Sequence, residues 1–154
     1  MWHLSRLIAT TSQTEYGRAR RPTLGSVIEP FSTMRESDAA VVTAPDGSTV
    51  RPLGALAGLA SFATFALAAG QVSAAVSHRT VAEIWYVVAG AGEMWRRQDG
   101  REEIARLEPG VCLTVPLGTS FQFRAGADGL RVAAVTVPPW PDSPDEARPE
   151  PGPW

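Results

Sequence analysis

The chain has 154 residues, 44% hydrophobic and 19% charged, with net charge −2, a pI of about 5.7 and mean hydropathy −0.05. That length suits one domain with an ordinary core and is short for two. A nucleic-acid face, which needs a basic stripe, is excluded by the scatter of the arginines; Arg18, Arg20 and Arg21 cluster only in a segment that reads as a solvated tail.

Residues 1–33 are expected to form an N-terminal extension. They are basic, rich in Ser and Thr and poor in acid, the profile of a transit peptide, but lack the apolar region and cleavage pattern of a secretory signal. Met34 opens the more domain-like part, so an upstream start or a loose arm is the preferred reading. Leu53 to Val76 carries no charge and is long enough to span a bilayer. It is mostly Ala and Gly, however, is interrupted by Gly54, Gly58, Gly70 and Gln71, and lacks aromatic or basic anchors at its ends. Two strands joined by a turn at Ala69-Gly70-Gln71 are expected there, with no membrane partner.

From Val41 onward, turn signals recur: Pro45-Asp46-Gly47, Pro52-Leu53-Gly54, Gly70, Gly90-Ala91-Gly92, Asp99-Gly100, Pro109-Gly110, Pro116-Leu117-Gly118 and Asp128-Gly129. Short runs of Val, Ile, Phe, Trp and Thr lie between them, the rhythm of an all-β sandwich or barrel without βαβ units. Asp99-Gly100 and Asp128-Gly129 each suit a tight hairpin. Glu83 to Val88 carries large apolar groups on both faces, as expected of a strand held between a barrel interior and a second layer. The single cysteine, Cys112, excludes an internal disulfide and a Cys-based zinc cluster, and in the run Val111 to Val115 it reads as a buried small hydrophobe. A reducing cytoplasm fits that usage and is the expected location. Residues 138–154, with seven prolines and two tryptophans, cannot join a central strand; an extended Pro-rich tail over the surface is expected, pinned by Trp140 and Trp154.

Two segments together resemble the paired signatures of the cupin superfamily. In the first, His78 is followed by Arg79 to Ala82, then Glu83, then six residues to Gly90; the place of the family's other histidine is held by Val76. In the second, Gly110, Pro116 and Gly118 fall at family spacing, and the histidine position is Phe121. The resemblance covers about residues 41–137. It implies an all-β double-stranded β-helix, a jelly-roll cupin barrel over residues 34–137, and a homodimer. Typical metal-binding members hold a divalent ion on three His and one Glu. This chain has two histidines in all, and His3 lies in the arm. No bound cofactor is therefore expected; a divalent ion would have only His78 and Glu83 from the motifs and would be weakly held.

Strand alternation sketches the interior. With His78 inward, Val76 and Ala74 share its face; with Glu83 inward, so do Trp85 and Val87; with Phe121 inward, so does Phe123. Phe62 and Thr64, or else Ala63 and Phe65, would complete the wall. An apolar pocket with one ionisable pair results, the usual make-up of a small-molecule site. The leading expectation is a metal-independent isomerase, cyclase or lyase acting on a small apolar or aromatic molecule, with His78 as base and Glu83 orienting it. A non-catalytic ligand-binding or sensory barrel, and a dioxygenase-like metal enzyme with a reduced ligand set, are the alternatives. Arg79 and Arg96 read as solvated; the alternative is that they grip an anionic substrate at the mouth.

Overall fold

In a computed structural model of the chain, residues 30–141 and 143–154 are described. The expected extension over residues 1–29 lies outside them. The described residues form β1 (Val42–Thr43), β2 (Thr49–Leu56), β3 (Ala60–Leu67), β4 (Val76–His78), β5 (Ala82–Gln98), β6 (Arg101–Leu107), β7 (Cys112–Val115), β8 (Ser120–Val137) and β9 (Ala147–Pro149), after a 3-10 turn at Glu36–Asp38. Every pairing is antiparallel.

The two longest strands, β5 and β8, pair along almost their whole length and bend together, which turns one sheet into two facing limbs. The first limb runs β1-β2-β3, the C-terminal half of β8, the N-terminal half of β5, and β7. The second runs β9-β4, the N-terminal half of β8, the C-terminal half of β5, and β6. The curled, half-closed barrel is the jelly-roll architecture expected of the motifs. The bend requires glycine: Gly90 has φ +76°, and a Cβ there would overlap the Gly129 carbonyl oxygen, while one on Gly92 would overlap that of Arg124.

Inside, Trp85, Val87, Leu113, Val115, Val132 and Ala134 of the first limb face Met94, Leu107, Phe121, Phe123 and Ala125 of the second. Several local expectations are corrected. Asp99-Gly100 does turn β5 into β6, but Asp128-Gly129 makes no hairpin; it lies within β8, where residues 126–129 bulge opposite the bend in β5. Among the described residues, no second layer covers the outer face of β5: Ile84 and Tyr86 are half exposed. Cys112 is exposed, because it pairs with Tyr86 on that outer face while Leu113 and Val115 take the inner one. In the uncharged segment a further turn at 57–59 separates β2 from β3, so it folds as strands, and no helix among the described residues is long and apolar enough to cross a membrane.

The tail runs over the barrel, as expected, and in addition β9 joins the free edge of β4, where proline is tolerated. Glu146, buried just before β9, accepts hydrogen bonds from the Thr80 and Val81 amides and the Thr80 hydroxyl. The turn that carries the chain from His78 to Glu83 is thus held by the tail. Trp154 lies against the Arg124 guanidinium.

Candidate active site

Glu83 opens β5 on its inward face, with Val115 and Thr136 beside it on the neighbouring strands. Trp85, two residues on, shares that face, and its indole N–H donates to Glu83 Oε2 at 2.7 Å. Glu83 is 3% exposed. Burial pushes its carboxyl up to about 7; the Trp85 hydrogen bond pulls the other way, and the charge of Asp46 adds to the rise.

His78 ends β4 at the same end of the barrel, with Nδ1 4.0 Å from Glu83 Oε2. That separation is beyond a hydrogen bond, so the carboxylate does not orient the ring by direct contact, as the sequence had suggested. Nδ1 is buried and has no hydrogen-bond partner among the described residues. Burial lowers the imidazole to about 4, against the opposing pull of the Glu146 charge. The ring is held edge-on between Phe121 and Trp140, each 5.1 Å away between centroids. The result is a neutral imidazole with a free ring nitrogen beside a carboxyl group that keeps its proton into the neutral range.

The remaining interior residues converge. Val76 and Phe121, the two positions where the motif would place histidine, are direct cross-strand partners. Trp85 packs edge-on to Phe123 at 4.9 Å and stacks on Phe65 at 5.5 Å, so Ala63 and Phe65 form the inward face of β3, and Phe62 turns out. Val76, Trp85, Val87, Phe121 and Phe123 all belong to one buried cluster. Ala74 does not: β4 begins only at Val76, and Ala74 is exposed.

Arg96 is partly buried and paired rather than freely solvated. It lies on the inward face of β5, cross-strand from Phe121, and ion-pairs with Glu103 while donating to the Thr114 carbonyl. A cavity of about 410 Å³ opens there, lined by Arg96, Arg101, Glu103, Leu113, Pro116 and Thr119, among others. Neither it nor a second cavity of about 390 Å³ beside Glu93 and Arg124 is lined by His78 or Glu83. Asp46 was legible only as a turn residue. It is buried, bonded to the Ser48 amide and hydroxyl, and burial raises its carboxyl despite those bonds.

The described residues gather no group of three or more His, Cys, Asp or Glu that could hold a metal ion. With Val76 and Phe121 at the other motif positions, and Glu83 Oε2 already accepting from Trp85, the donor set does not fit the divalent ion that the fold implies.

No protein-family model and no curated protein matches the chain. Among solved structures it is similar to Streptomyces Pac13 with uridine, at 14% identity and TM-score 0.63 over 80% of this chain and 92% of that one. Pac13 is described as a unique nucleoside dehydratase. It is also similar to Bacillus subtilis oxalate decarboxylase, at 16% identity and TM-score 0.67, over 80% of this chain and 33% of that one. At such identities the likeness fixes the fold, which is the cupin barrel.

Proposed function

We propose that this cupin barrel is a metal-independent lyase that moves protons between His78, Glu83 and a small organic molecule with an apolar or aromatic body. The supporting observation is the buried pair itself: a neutral imidazole with a free Nδ1, 4.0 Å from a carboxyl group raised to about 7. An acid with a pKa near the working pH is an effective proton donor, and a neutral imidazole keeps a lone pair free to accept a proton, as a weak base. In an elimination, His78 takes a proton from carbon while Glu83 protonates the leaving hydroxyl, so a C–H and a C–O bond break, a C=C bond forms and water departs. A water bridging the 4.0 Å between the imidazolium and the carboxylate left behind returns the proton from His78 to Glu83. The likeness to a nucleoside dehydratase of the same fold favours elimination over isomerisation or cyclisation.

The homodimer expected of the family belongs to this proposal, and the bare strip of Ile84, Tyr86 and Val88 on β5 is the face that supports it. A ligand-binding barrel without turnover is the second reading. It draws support from the aromatic side chains that fill the interior around the pair.

The test is a panel of β-hydroxy carbonyl compounds, followed by proton NMR in D2O for loss of water or exchange of the C–H adjacent to the carbonyl. Turnover should fall about 10²-fold or more in both His78→Ala and Glu83→Gln. Turnover unchanged in both variants refutes acid–base chemistry at this pair. Saturable binding of panel members without any exchange supports the plain binding barrel.

A further inference from the structure

At the open edge of the half-barrel, where β6 and β7 lie along one side of the bent β5, side chains of the second limb reach across to the first. The Arg96 guanidinium reaches from the second limb to the Thr114 carbonyl of the first, 2.6 Å away, and pairs with Glu103. Arg101 shares the same carboxylate at 2.6 Å. Two guanidinium groups against one carboxylate leave the cavity positive. Two buried polar groups on its lining have no partner among the described residues: Arg96 Nε and the Thr119 hydroxyl. Thr119 is 3% exposed, so its hydroxyl is withdrawn from bulk water as well. Buried donors left unmet are costly, and both remaining ones suit an acceptor-rich anion.

Leu113 and Pro116 give the cavity an apolar wall, and Gln98, Cys112 and Thr114 complete its lining. Leu113 is cross-strand from Trp85, and Phe121 lies between Arg96, its strand partner, and the His78 ring. We propose that this cavity is the carboxylate subsite of the barrel, taking an organic acid whose carboxylate meets Arg96 Nε and the Thr119 hydroxyl and whose apolar body lies against Leu113 and Pro116. The link to chemistry rests on the acid–base reading above, whereas binding does not.

Benzoate is the probe, titrated into the full chain while the Arg96 Nε–H and Thr119 amide resonances are followed by nitrogen-15 NMR. Saturable shifts at both are expected, with affinity reduced about tenfold or more in Arg96→Gln and in Thr119→Val, the loss of one charge-assisted contact. Thr119→Val keeps the test valid should Arg96→Gln fail to fold. Uncharged benzamide should bind at least about tenfold more weakly, and inorganic sulfate should compete poorly for want of an apolar body. No saturable shift, equal binding of benzamide or sulfate, or unchanged affinity in both variants overturns the subsite and leaves Arg96 as a staple between the limbs. Benzoate bound normally by the Glu83→Gln protein supports the subsite whatever that variant's turnover, so the subsite and the acid–base proposal fail separately.

Discussion

Replacing Glu83 with Gln tests the electrostatics of the site through stability alone, without knowledge of a substrate. The glutamine keeps an oxygen for the Trp85 indole N–H, which Glu83 now receives at 2.7 Å, and removes only the ionisation. Burial raises the Glu83 carboxyl from 4.5 to about 7, so the folded chain holds this proton over a range in which the unfolded chain has released it. Stability from this group is fully present below pH 4.5 and is lost as pH rises through 7. At about 1.4 kcal/mol per pH unit the loss approaches about 3 kcal/mol. His78 has the opposite sign: lowered from 6.5 to about 4, it contributes stability present above pH 6.5 and lost as pH falls through about 4. The two slopes cancel over much of the interval between the two unfolded values, so the wild-type chain should be nearly flat there. Glu83→Gln unmasks the histidine. Its stability should equal that of wild type near pH 4, climb with pH, and exceed wild type by up to about 3 kcal/mol at pH 8. Each kcal/mol corresponds to a Tm shift of about 2–4 °C in a chain of this size. Urea unfolding at pH 4 to 8, followed by circular dichroism, measures the difference directly. A variant no more stable than wild type at pH 8, or a difference that does not grow with pH, refutes the raised carboxyl.

Trp140→Ala removes the ring that lies edge-on against His78 at 5.1 Å, so water should reach the imidazole and its pKa should climb from about 4 toward 6.5. With two histidines in the chain, the imidazole region of a proton NMR titration resolves this, and an unmoved His78 would show that Trp140 does not shield it. Gly90→Ala should cost about 3 kcal/mol or more, because the added methyl meets the Gly129 carbonyl in a backbone that also has positive φ. Gly118→Ala, with φ +83° but open space around its Cβ, should cost only about 1–2 kcal/mol. Urea unfolding of both variants decides, and equal losses would remove close packing as the reason for glycine at the bend.

The order of residues alone settled the fold class, because strand alternation and turn glycines act locally: Gly90 and Gly118 were marked by spacing and both adopt positive φ. It also determined which side chains share the interior, since the period of two puts Glu83, Trp85 and Val87 on one face of any strand. What alternation does not encode is whether the other face is covered. Ile84 and Tyr86 are apolar yet exposed, and Cys112 differs from expectation for the same reason, as composition is nearly blind to whether a second layer covers a strand. Nor does a local pattern encode contacts that join distant segments. The pairing of β9 with β4, the hold of Glu146 on Thr80 sixty-six residues away, and the burial of Asp46 arise from the path of the tail and of the first turn. Only that tertiary path decides how much water reaches His78 and Glu83. Protonation at a buried site is governed by desolvation and by charges brought near through space, and so it was settled by the folded barrel and not by the order of residues.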